Sequence, residues 1–139
     1  MRRMRIGFDL DGTIINNNWY KGRIKLPSWI IFIVLTALEP FLRPKKKVVN
    51  ILREWKKENE IFIISLRPKE VKEITRNYLV KDKIPFDDLF LVGVGNGANR
   101  RKLEVIKLMK IEKFIDNDRE IVNFLRRQGI NAMTPEEVS

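Results

Sequence analysis

The chain contains no cysteine and no histidine. The lack of cysteine excludes disulfides and thiolate nucleophiles, and the two absences together exclude zinc sites of the Cys/His type. Without an imidazole, no histidine can act as a nucleophile, acid or base. Any chemistry must therefore use carboxylates, hydroxyls, lysines, arginines or a bound hard metal ion.

Acidic residues are few relative to basic ones. The 139 residues include 28 Lys+Arg and 18 Asp+Glu, which gives a formal net charge of +10. Such a balance attracts anions, including phosphorylated metabolites, nucleic acid and acidic lipid head groups. A charged surface that serves only solubility explains the same composition. From this length and an apolar share of 44%, we expect residues 1–139 to form a single domain with its own core.

No apolar run is long enough to cross a bilayer. The longest, Trp29–Leu38, would measure roughly 15 Å as a helix, about half of the ~30 Å hydrocarbon core. Because it is apolar on all sides, it must pack against the core, a second copy of the chain, a membrane surface or a substrate. We favour the core or a homodimer, although the basic run Lys45–Lys47 keeps a membrane surface among the alternatives. The basic start, Met1–Arg5, lacks the apolar stretch of a signal peptide, so we expect a cytoplasmic protein.

Short apolar runs alternate with amphipathic stretches, a pattern typical of an α/β fold with a parallel sheet. We expect strands at about 4–8, 61–64, 89–92, 113–115 and 130–133, and helices at about 45–59, 68–80, 99–109 and 119–127. Three of the strands are followed by polar side chains, those of Asp9, Ser65 and Asp116. Ligands of open parallel sheets bind at the carboxyl ends of the strands, so these side chains are expected to converge there. The alternative is that polar residues merely end the strands.

The run Phe8-Asp9-Leu10-Asp11-Gly12-Thr13 is the most specific feature of the sequence. Both carboxylates can face one cleft if the backbone turns at once, and Gly12 allows that turn. A carboxylate attacks a phosphate, itself an anion, only when a divalent cation bridges the two. We therefore expect Asp9 to bind the ion with one oxygen and to attack with the other. Asp11 can protonate the leaving oxygen and later activate the water that cleaves the acyl phosphate.

This run resembles the first motif of the haloacid dehalogenase-like phosphatases. The resemblance implies a Rossmann-like sheet with the strand order 5-4-1-2-3, one magnesium ion, and Asp9 as the residue that accepts the phosphoryl group. It also implies that Asp11 is the acid/base and binds the metal through its main-chain carbonyl. Thr13 would support the loop at the place where substrate binds.

The segment Ser65-Leu66-Arg67-Pro68 resembles the second motif of this superfamily, in the variant found in nucleotidase-like and polynucleotide-phosphatase-like branches. The resemblance implies that the hydroxyl of Ser65 binds a phosphoryl oxygen. Arg67 could grip the phosphate with a planar, bidentate pair of hydrogen bonds. The alternative for Arg67 is a solvated side chain at the start of a helix.

The third motif requires a lysine that neutralises the charge of phosphate and nucleophile. We expect this to be Lys102, because it lies near the start of a helix and fourteen residues before Asp116, a spacing common in relatives. Lys107 is the main competitor, and Lys110 is a weaker one.

The segment Ile115-Asp116-Asn117-Asp118 resembles the fourth motif, in which Asp116 would be a magnesium ligand. Many relatives carry two adjacent aspartates here, and Asn117 departs from that pattern. Asp118 or Glu120 could take the second acidic role instead. Oxygen ligands from protein, phosphate and water suit the octahedral preference of magnesium.

Residues 14–44 occupy the place where relatives often carry a cap over the substrate. Within this insert, Asn16–Arg23 has the turn-forming residues of a short flap. Trp19 and Tyr20 could stack on a base or sugar, while Lys21 and Arg23 hold phosphates, or the aromatic rings could simply pack the flap on the sheet. A cap this small leaves the cleft open, which favours large substrates such as nucleotides or the phosphorylated ends of nucleic acids.

We therefore predict a magnesium-dependent phosphomonoester hydrolase, with nucleotides or nucleic-acid ends favoured over sugar phosphates. The first alternative is a non-catalytic member of the same fold that binds phosphate or nucleic acid. The second is a membrane-surface or assembly module that uses the segment Trp29–Leu38.

Overall fold

The computed structural model describes residues 3–17 and 26–138, without the side chain of Ser28. The contacts expected of Trp19, Tyr20, Lys21 and Arg23 lie outside these residues. The strands are β1 (Arg5–Phe8), β2 (Glu60–Ser65), β3 (Asp88–Leu91), β4 (Lys113–Ile115) and β5 (Ala132–Met133). The α-helices are α1 (Ser28–Leu38), α2 (Lys46–Lys56), α3 (Lys72–Lys81), α4 (Ala98–Leu108) and α5 (Arg119–Arg127). Short 3₁₀ helices cover Glu39–Phe41, Lys69–Val71 and Pro135–Glu137.

The five strands of the described residues form one parallel sheet in the order β3-β2-β1-β4-β5. Counted from the opposite edge, this order is 5-4-1-2-3, the one that the resemblance implies. β1 is central, and both of its neighbours end at the same side of the sheet. The sheet therefore brings the residues that follow β1, β2 and β4 to one edge.

Both faces of the sheet are covered by helices, which explains why β1, β2 and β4 are almost continuously apolar. Side chains of one face, including Phe8 and Ile63, pack against α2 and α3. Side chains of the other face, including Ile64 and Phe114, pack against α4 and α5. The fold class predicted from the sequence, α/β with a parallel sheet flanked by helices, is confirmed.

Gly7 in the middle of β1 has a packing role. A Cβ atom at this position would lie 2.7 Å from Cδ1 of Phe114, closer than carbon atoms can approach. The ring of Phe114 is fully buried and cannot easily move away. Glycine at position 7 thus lets β4 and its aromatic side chain lie against the central strand.

Two elements differ from the sequence prediction. The helix expected from Pro68 is divided, because a 3₁₀ turn precedes α3 and the dihedral angles of Val71 (φ −101°, ψ 19°) leave the helical range. Val71 is buried against Ile31 and Leu35 of α1, so tertiary packing sets the direction of the chain there. The last strand is limited to Ala132–Met133 and lies at the edge of the sheet, as expected.

The apolar helix α1 is buried on one side only. Ile31 and Leu35 are buried beside the 3₁₀ turn before α3 and the end of β3. Trp29, Phe32 and Ile33 point away from that contact and remain about half exposed or more. Core packing therefore accounts for one side of this helix; for the other side, the homodimer stays a prediction and the membrane surface stays an alternative. In the described part of the chain, no helix combines the length and the apolar character needed to cross a membrane.

Candidate active site

Asp9 and Asp11 lie on a tight loop that begins where β1 ends. The amide of Asp9 donates to the carbonyl of Ile115 at 2.9 Å, so the pairing with β4 continues to the first residue of the loop. Gly12 has φ +83°, a conformation that residues with a side chain rarely adopt. A Cβ at this position would also lie 3.1 Å from the side chain of Asn117. The positive φ thus favours glycine in this loop, and any side chain would also require Asn117 to shift by a few tenths of an ångström.

Lys102 joins the first and the last acidic motif. Its Nζ lies 3.0 Å from Oδ1 of Asp9 and 3.1 Å from Oδ2 of Asp116. Lys102 and Asp116 are fully buried, whereas Asp9 retains 8% exposure. Of these three residues, Asp9 is thus the one with any exposure to solvent.

The two carboxylates share one ammonium group in a site with little water. Burial raises the pKa of Asp116 to about 7, and the negative charge of Asp9 adds to this, while Lys102 opposes it. Burial also raises the pKa of Asp9, again against the influence of Lys102. Burial alone would lower the pKa of Lys102, but the charges of Asp116 and Asp9 outweigh that effect and raise it. The cluster carries an excess of negative charge that a further cation would relieve.

The competing lysines do not reach this cluster. Lys107 and Lys110 are exposed, on the last turn of α4 and just beyond it. Lys102 lies on the face of α4 that packs on the sheet, beside the ring of Phe114. The structure thus brings the favoured lysine, and neither alternative, to Asp9.

Thr13 links the loop after β1 to the loop after β4. Its buried hydroxyl lies 3.0 Å from Oδ2 of Asp9 and 3.1 Å from Oδ1 of Asn117, and it accepts a hydrogen bond from the amide of Asn117 at 2.9 Å. A hydroxyl has one proton, so it donates to one of the two oxygens at a time. Since Thr13 is 0% exposed, its contacts are those of a loop support.

The acidic residues after β4 take separate positions. The amide of Asp118 donates to Oδ1 of Asp116 at 2.9 Å, which orients that carboxylate. The side chain of Asp118 caps α5 by accepting from the amide of Glu120 at 3.0 Å. Asn117 and Glu120 are exposed. Which of these residues takes the second acidic role therefore stays open.

Ser65 is the last residue of β2 and Arg67 follows the strand at the same edge of the sheet, and both are buried. The hydroxyl of Ser65 accepts from the amide of Arg67 at 3.1 Å. The guanidinium of Arg67 does not lie at the solvated helix start considered above. It binds the carboxylate of Asp11, with Nε 2.8 Å from Oδ2 and Nη2 2.6 Å from Oδ1. The structure thus pairs Arg67 with the second aspartate of the first motif.

Three contacts of the site were missed in the sequence analysis. Asn17 donates from Nδ2 to Oδ1 of Asp11 at 2.8 Å, and Thr75 on α3 accepts from Nη1 of Arg67 at 3.0 Å. Lys45 donates from Nζ to the carbonyl of Gly12, so this member of the basic run holds the loop after β1. Asn17 and Thr75 carry no sequence signal, because polar residues at such positions usually face solvent.

Comparison with known proteins gives relatives over most of the chain, although no family model matches the sequence. A protein of Halalkalibacterium halodurans, provisionally named a nucleotidase, is 32% identical over 142 aligned positions, which cover 84% of this chain and 70% of the relative. A nucleotidase of Clostridium acetobutylicum is 22% identical over 159 positions, which cover 96% of this chain and 80% of the relative.

Solved structures share the fold at lower identity. A chain of the Pnkp1/Rnl/Hen1 RNA repair complex matches with a TM-score of 0.72 at 18% identity; the match covers 95% of this chain and 42% of that one. This chain therefore spans less than half of its structural counterpart. The haloacid dehalogenase-like hydrolase SP0104 of Streptococcus pneumoniae matches with a TM-score of 0.59 at 12% identity, covering 95% of this chain and 84% of that one.

The sheet order, the loop after β1 and the buried Lys102 cluster define the fold class as that of the haloacid dehalogenase-like proteins. Within this class, the chain belongs to the nucleotidase family of its Halalkalibacterium halodurans relative.

Proposed function

We propose that the chain is a magnesium-dependent phosphomonoester hydrolase that passes through a phosphoaspartate at Asp9, with nucleotides or nucleic-acid terminal phosphates as substrates. The observation that carries this proposal is the position of Lys102, whose ammonium group joins the carboxylates of Asp9 and Asp116 at the open edge of the sheet. Asp9 keeps 8% exposure while its two partners in the cluster are fully buried, so it is the carboxylate of the cluster that a substrate could approach. Asp9 is also the first residue of the loop, where a substrate phosphate can approach from solvent.

Asp9 and Asp116 suit a magnesium ion by their chemistry. They supply the hard carboxylate oxygens that magnesium prefers, and their two charges are met by only one ammonium group. In the described residues, no three acidic side chains group together as a metal site, so the main-chain carbonyl of Asp11, water and phosphate would complete the ligands. A bound ion would offset the repulsion between carboxylate and phosphate and stabilise the charge of the transferring group.

The proposed reaction has two steps. In the first, a carboxylate oxygen of Asp9 forms a bond to phosphorus while the bond from phosphorus to the ester oxygen breaks. Asp11, in its protonated form, donates its proton to the ester oxygen as that oxygen leaves. In the second, water attacks phosphorus, Asp11 takes a proton from the water, and the bond between phosphorus and Asp9 breaks. Inorganic phosphate leaves and the Asp9 carboxylate is restored. Ser65 and Lys102 would hold the oxygens of the phosphoryl group during both steps.

A cavity at the same edge of the sheet, next to the segment that follows Arg67, supports a substrate larger than phosphate alone. Its volume is about 300 Å³, at the small end of the range for ligand pockets. It lies at the carboxyl ends of β2 and β3, lined by Pro68, Lys69 and Glu70, by residues 91–94 and by Leu26. Its apolar residues suit a nucleobase or a sugar, and Lys69 and Glu70 offer polar contacts to one. The net charge of +10 and the nucleotidase names of both relatives favour the same substrates.

Release of phosphate from a panel of substrates tests this proposal. The panel contains nucleoside monophosphates, oligonucleotides with terminal phosphates, sugar phosphates and p-nitrophenyl phosphate, each with magnesium and with EDTA. We expect magnesium-dependent release that is fastest for nucleotides or oligonucleotide ends and that is lost in Asp9→Asn. Binding of phosphate or oligonucleotide without any release would instead support the non-catalytic alternative.

A further inference from the structure

The carboxylate of Asp11 is held in one orientation by Arg67. Nε and Nη2 of the guanidinium each donate to a different oxygen of Asp11, at 2.8 and 2.6 Å. Both side chains are almost fully buried, with 3% of Arg67 and 6% of Asp11 exposed. A planar pair with two parallel hydrogen bonds fixes the direction of the carboxylate as well as its position.

Arg67 is itself fixed from behind. Its Nη1 donates to Oγ1 of Thr75 at 3.0 Å, and that hydroxyl donates its own proton to the carbonyl of Val71 at 2.8 Å. Thr75 therefore has only lone pairs left to offer to Arg67. The main chain of Arg67 is fixed as well, because its carbonyl accepts from the amide of Gly93 at 3.1 Å.

Asn17 holds Asp11 from the other side. Its Nδ2 donates to Oδ1 of Asp11 at 2.8 Å, and Asn17 is 2% exposed. A carboxylate offers about four lone-pair positions, and the described contacts use two on Oδ1 and one on Oδ2. The remaining position of Asp11 is therefore on Oδ2, so the contacts select which oxygen can exchange a proton with a substrate.

We propose that Arg67 is a positioning residue for Asp11, with Thr75 and Asn17 as its supports, and that it does not grip the substrate phosphate as the sequence suggested. Asp11 occupies the edge of the guanidinium formed by Nε and Nη2, so a phosphate could be gripped at that edge only by displacing a buried ion pair, and a buried charge that loses its partner is strongly unfavourable. The phosphate already has Lys102 and the proposed metal to balance its charge. This inference rests on the proposed function, because Asp11 needs a fixed direction only if it transfers protons there.

The leaving group of the substrate distinguishes the two roles of Arg67. A nucleoside monophosphate has a poor leaving group that needs a proton from Asp11, whereas p-nitrophenolate leaves readily without one. A displaced Asp11 should therefore slow the first substrate much more than the second. A weakened grip on phosphate should affect both substrates alike and should also weaken inhibition by inorganic phosphate.

The experiment measures single-turnover release of both leaving groups, and inhibition by inorganic phosphate, for the full chain with magnesium. We expect Arg67→Lys and Thr75→Val to slow the nucleotide reaction at least about tenfold more than the p-nitrophenyl phosphate reaction, with the phosphate inhibition constant within about twofold of wild type. Thr75→Ser keeps the hydroxyl and should restore the nucleotide rate. Arg67→Lys should add no further loss to Asp11→Asn, because both changes act on the same proton transfer.

Arg126→Lys is the matched control. The guanidinium of Arg126 also binds a carboxylate, that of Glu137, but this pair lies next to β5. This variant should leave both rates unchanged. If Arg67→Lys does not fold, the two substrates are compared in Thr75→Val instead, because that change preserves the shape of the side chain.

Two results would overturn the inference, and they are distinct. Equal losses on both substrates, together with a phosphate inhibition constant raised about tenfold, would make Arg67 a phosphate ligand and leave the proposed function intact. A wild-type chain without magnesium-dependent turnover of either substrate would overturn the proposed function, and the role of Arg67 with it.

Discussion

Lys102 and Asp9 lie 93 positions apart in the sequence and are joined by a 3.0 Å ion pair, in which the lysine is fully buried. The sheet order explains this contact. β1 lies beside β4, and α4 leads into β4 across the face of the sheet, so a lysine on its inner side meets the end of β1. The same ammonium reaches Asp116 at 3.1 Å. The fold thus places one positive charge between two carboxylates that would otherwise repel each other in a dry site.

Replacing Lys102 by methionine should strongly destabilise the metal-free chain. The change keeps most of the side-chain volume but leaves Asp9 and Asp116 buried together without a counter-charge. Loss of one partner of a buried ion pair costs about 3–5 kcal/mol. Urea unfolding in the presence of EDTA measures this loss of stability. Added magnesium should recover part of it by binding the two uncompensated carboxylates.

Lys107→Met is the control for that experiment, since Lys107 is an exposed residue of the same helix. Its effect should stay within about 0.5 kcal/mol. Equal stability of the two variants would show that Lys102 does not neutralise the acidic pair.

Replacing Thr13 by valine should reduce both stability and activity. Valine has the same shape but cannot accept from the amide of Asn117 or donate to Asp9, so a partly buried amide loses its partner. An unmade hydrogen bond of this kind costs about 1–3 kcal/mol. Thermal unfolding and the rate of phosphate release measure the two effects. Thr13→Ser retains the hydroxyl and should behave much more like wild type; if it is as impaired as Thr13→Val, the hydroxyl is not the cause.

Replacing Gly12 by alanine should be more costly than the same change at Gly129. Both glycines have φ +83°, so both variants pay for a left-handed conformation, about 1–2 kcal/mol. Only at Gly12 does the new Cβ meet the side chain of Asn117, because nothing lies within 4 Å at Gly129. The difference between the two variants in the free energy of unfolding, measured in urea, therefore gives the cost of the close contact with Asn117. Equal free energies would contradict the expectation that this contact is costly.

The stability of the C-terminal turn should depend on pH through Glu137. Hydrogen bonds from the amide of Thr134 and from Arg126 lower the pKa of Glu137 to about 2 in the folded chain, below the ordinary 4.5. The folded state therefore binds fewer protons than the unfolded state between these values, so the stabilisation is present above pH 4.5 and is lost on acidification towards pH 2. The difference in melting temperature between wild type and Glu137→Gln should narrow from pH 6 to pH 3. A constant difference would show that the charge of Glu137 plays no part.

The strands of the sheet and the polar residues at their carboxyl ends could be predicted, because the sequence patterns that indicate them are local. A buried strand followed by Asp9, another followed by Ser65 and a third followed by Asp116 were recognisable from apolar runs that end in polar residues. Lys102 could be placed from its spacing to Asp116, and the structure brings it to Asp9.

The contacts of Arg67 were beyond reach because they depend on tertiary structure. An arginine after a strand has the same local signal whether it binds phosphate, solvent or another side chain. Its pairing with Asp11 is decided by how β2 lies beside β1 and by Thr75 on a later helix. Likewise, the apolar pattern of α1 did not reveal that one side would stay exposed, because apolar residues on both sides of a helix do not show which side meets the core.

The most direct test of the account is to trap the phosphorylated residue. The chain reacts with substrate and magnesium, is quenched within the first turnover and is treated with borohydride, which reduces an acyl phosphate to an alcohol. Peptide mass spectrometry then locates the reduced residue. The account predicts homoserine at position 9 in wild type and none in Asp9→Asn. Rapid turnover without any modification of Asp9, or a phosphorylated residue elsewhere, would contradict it.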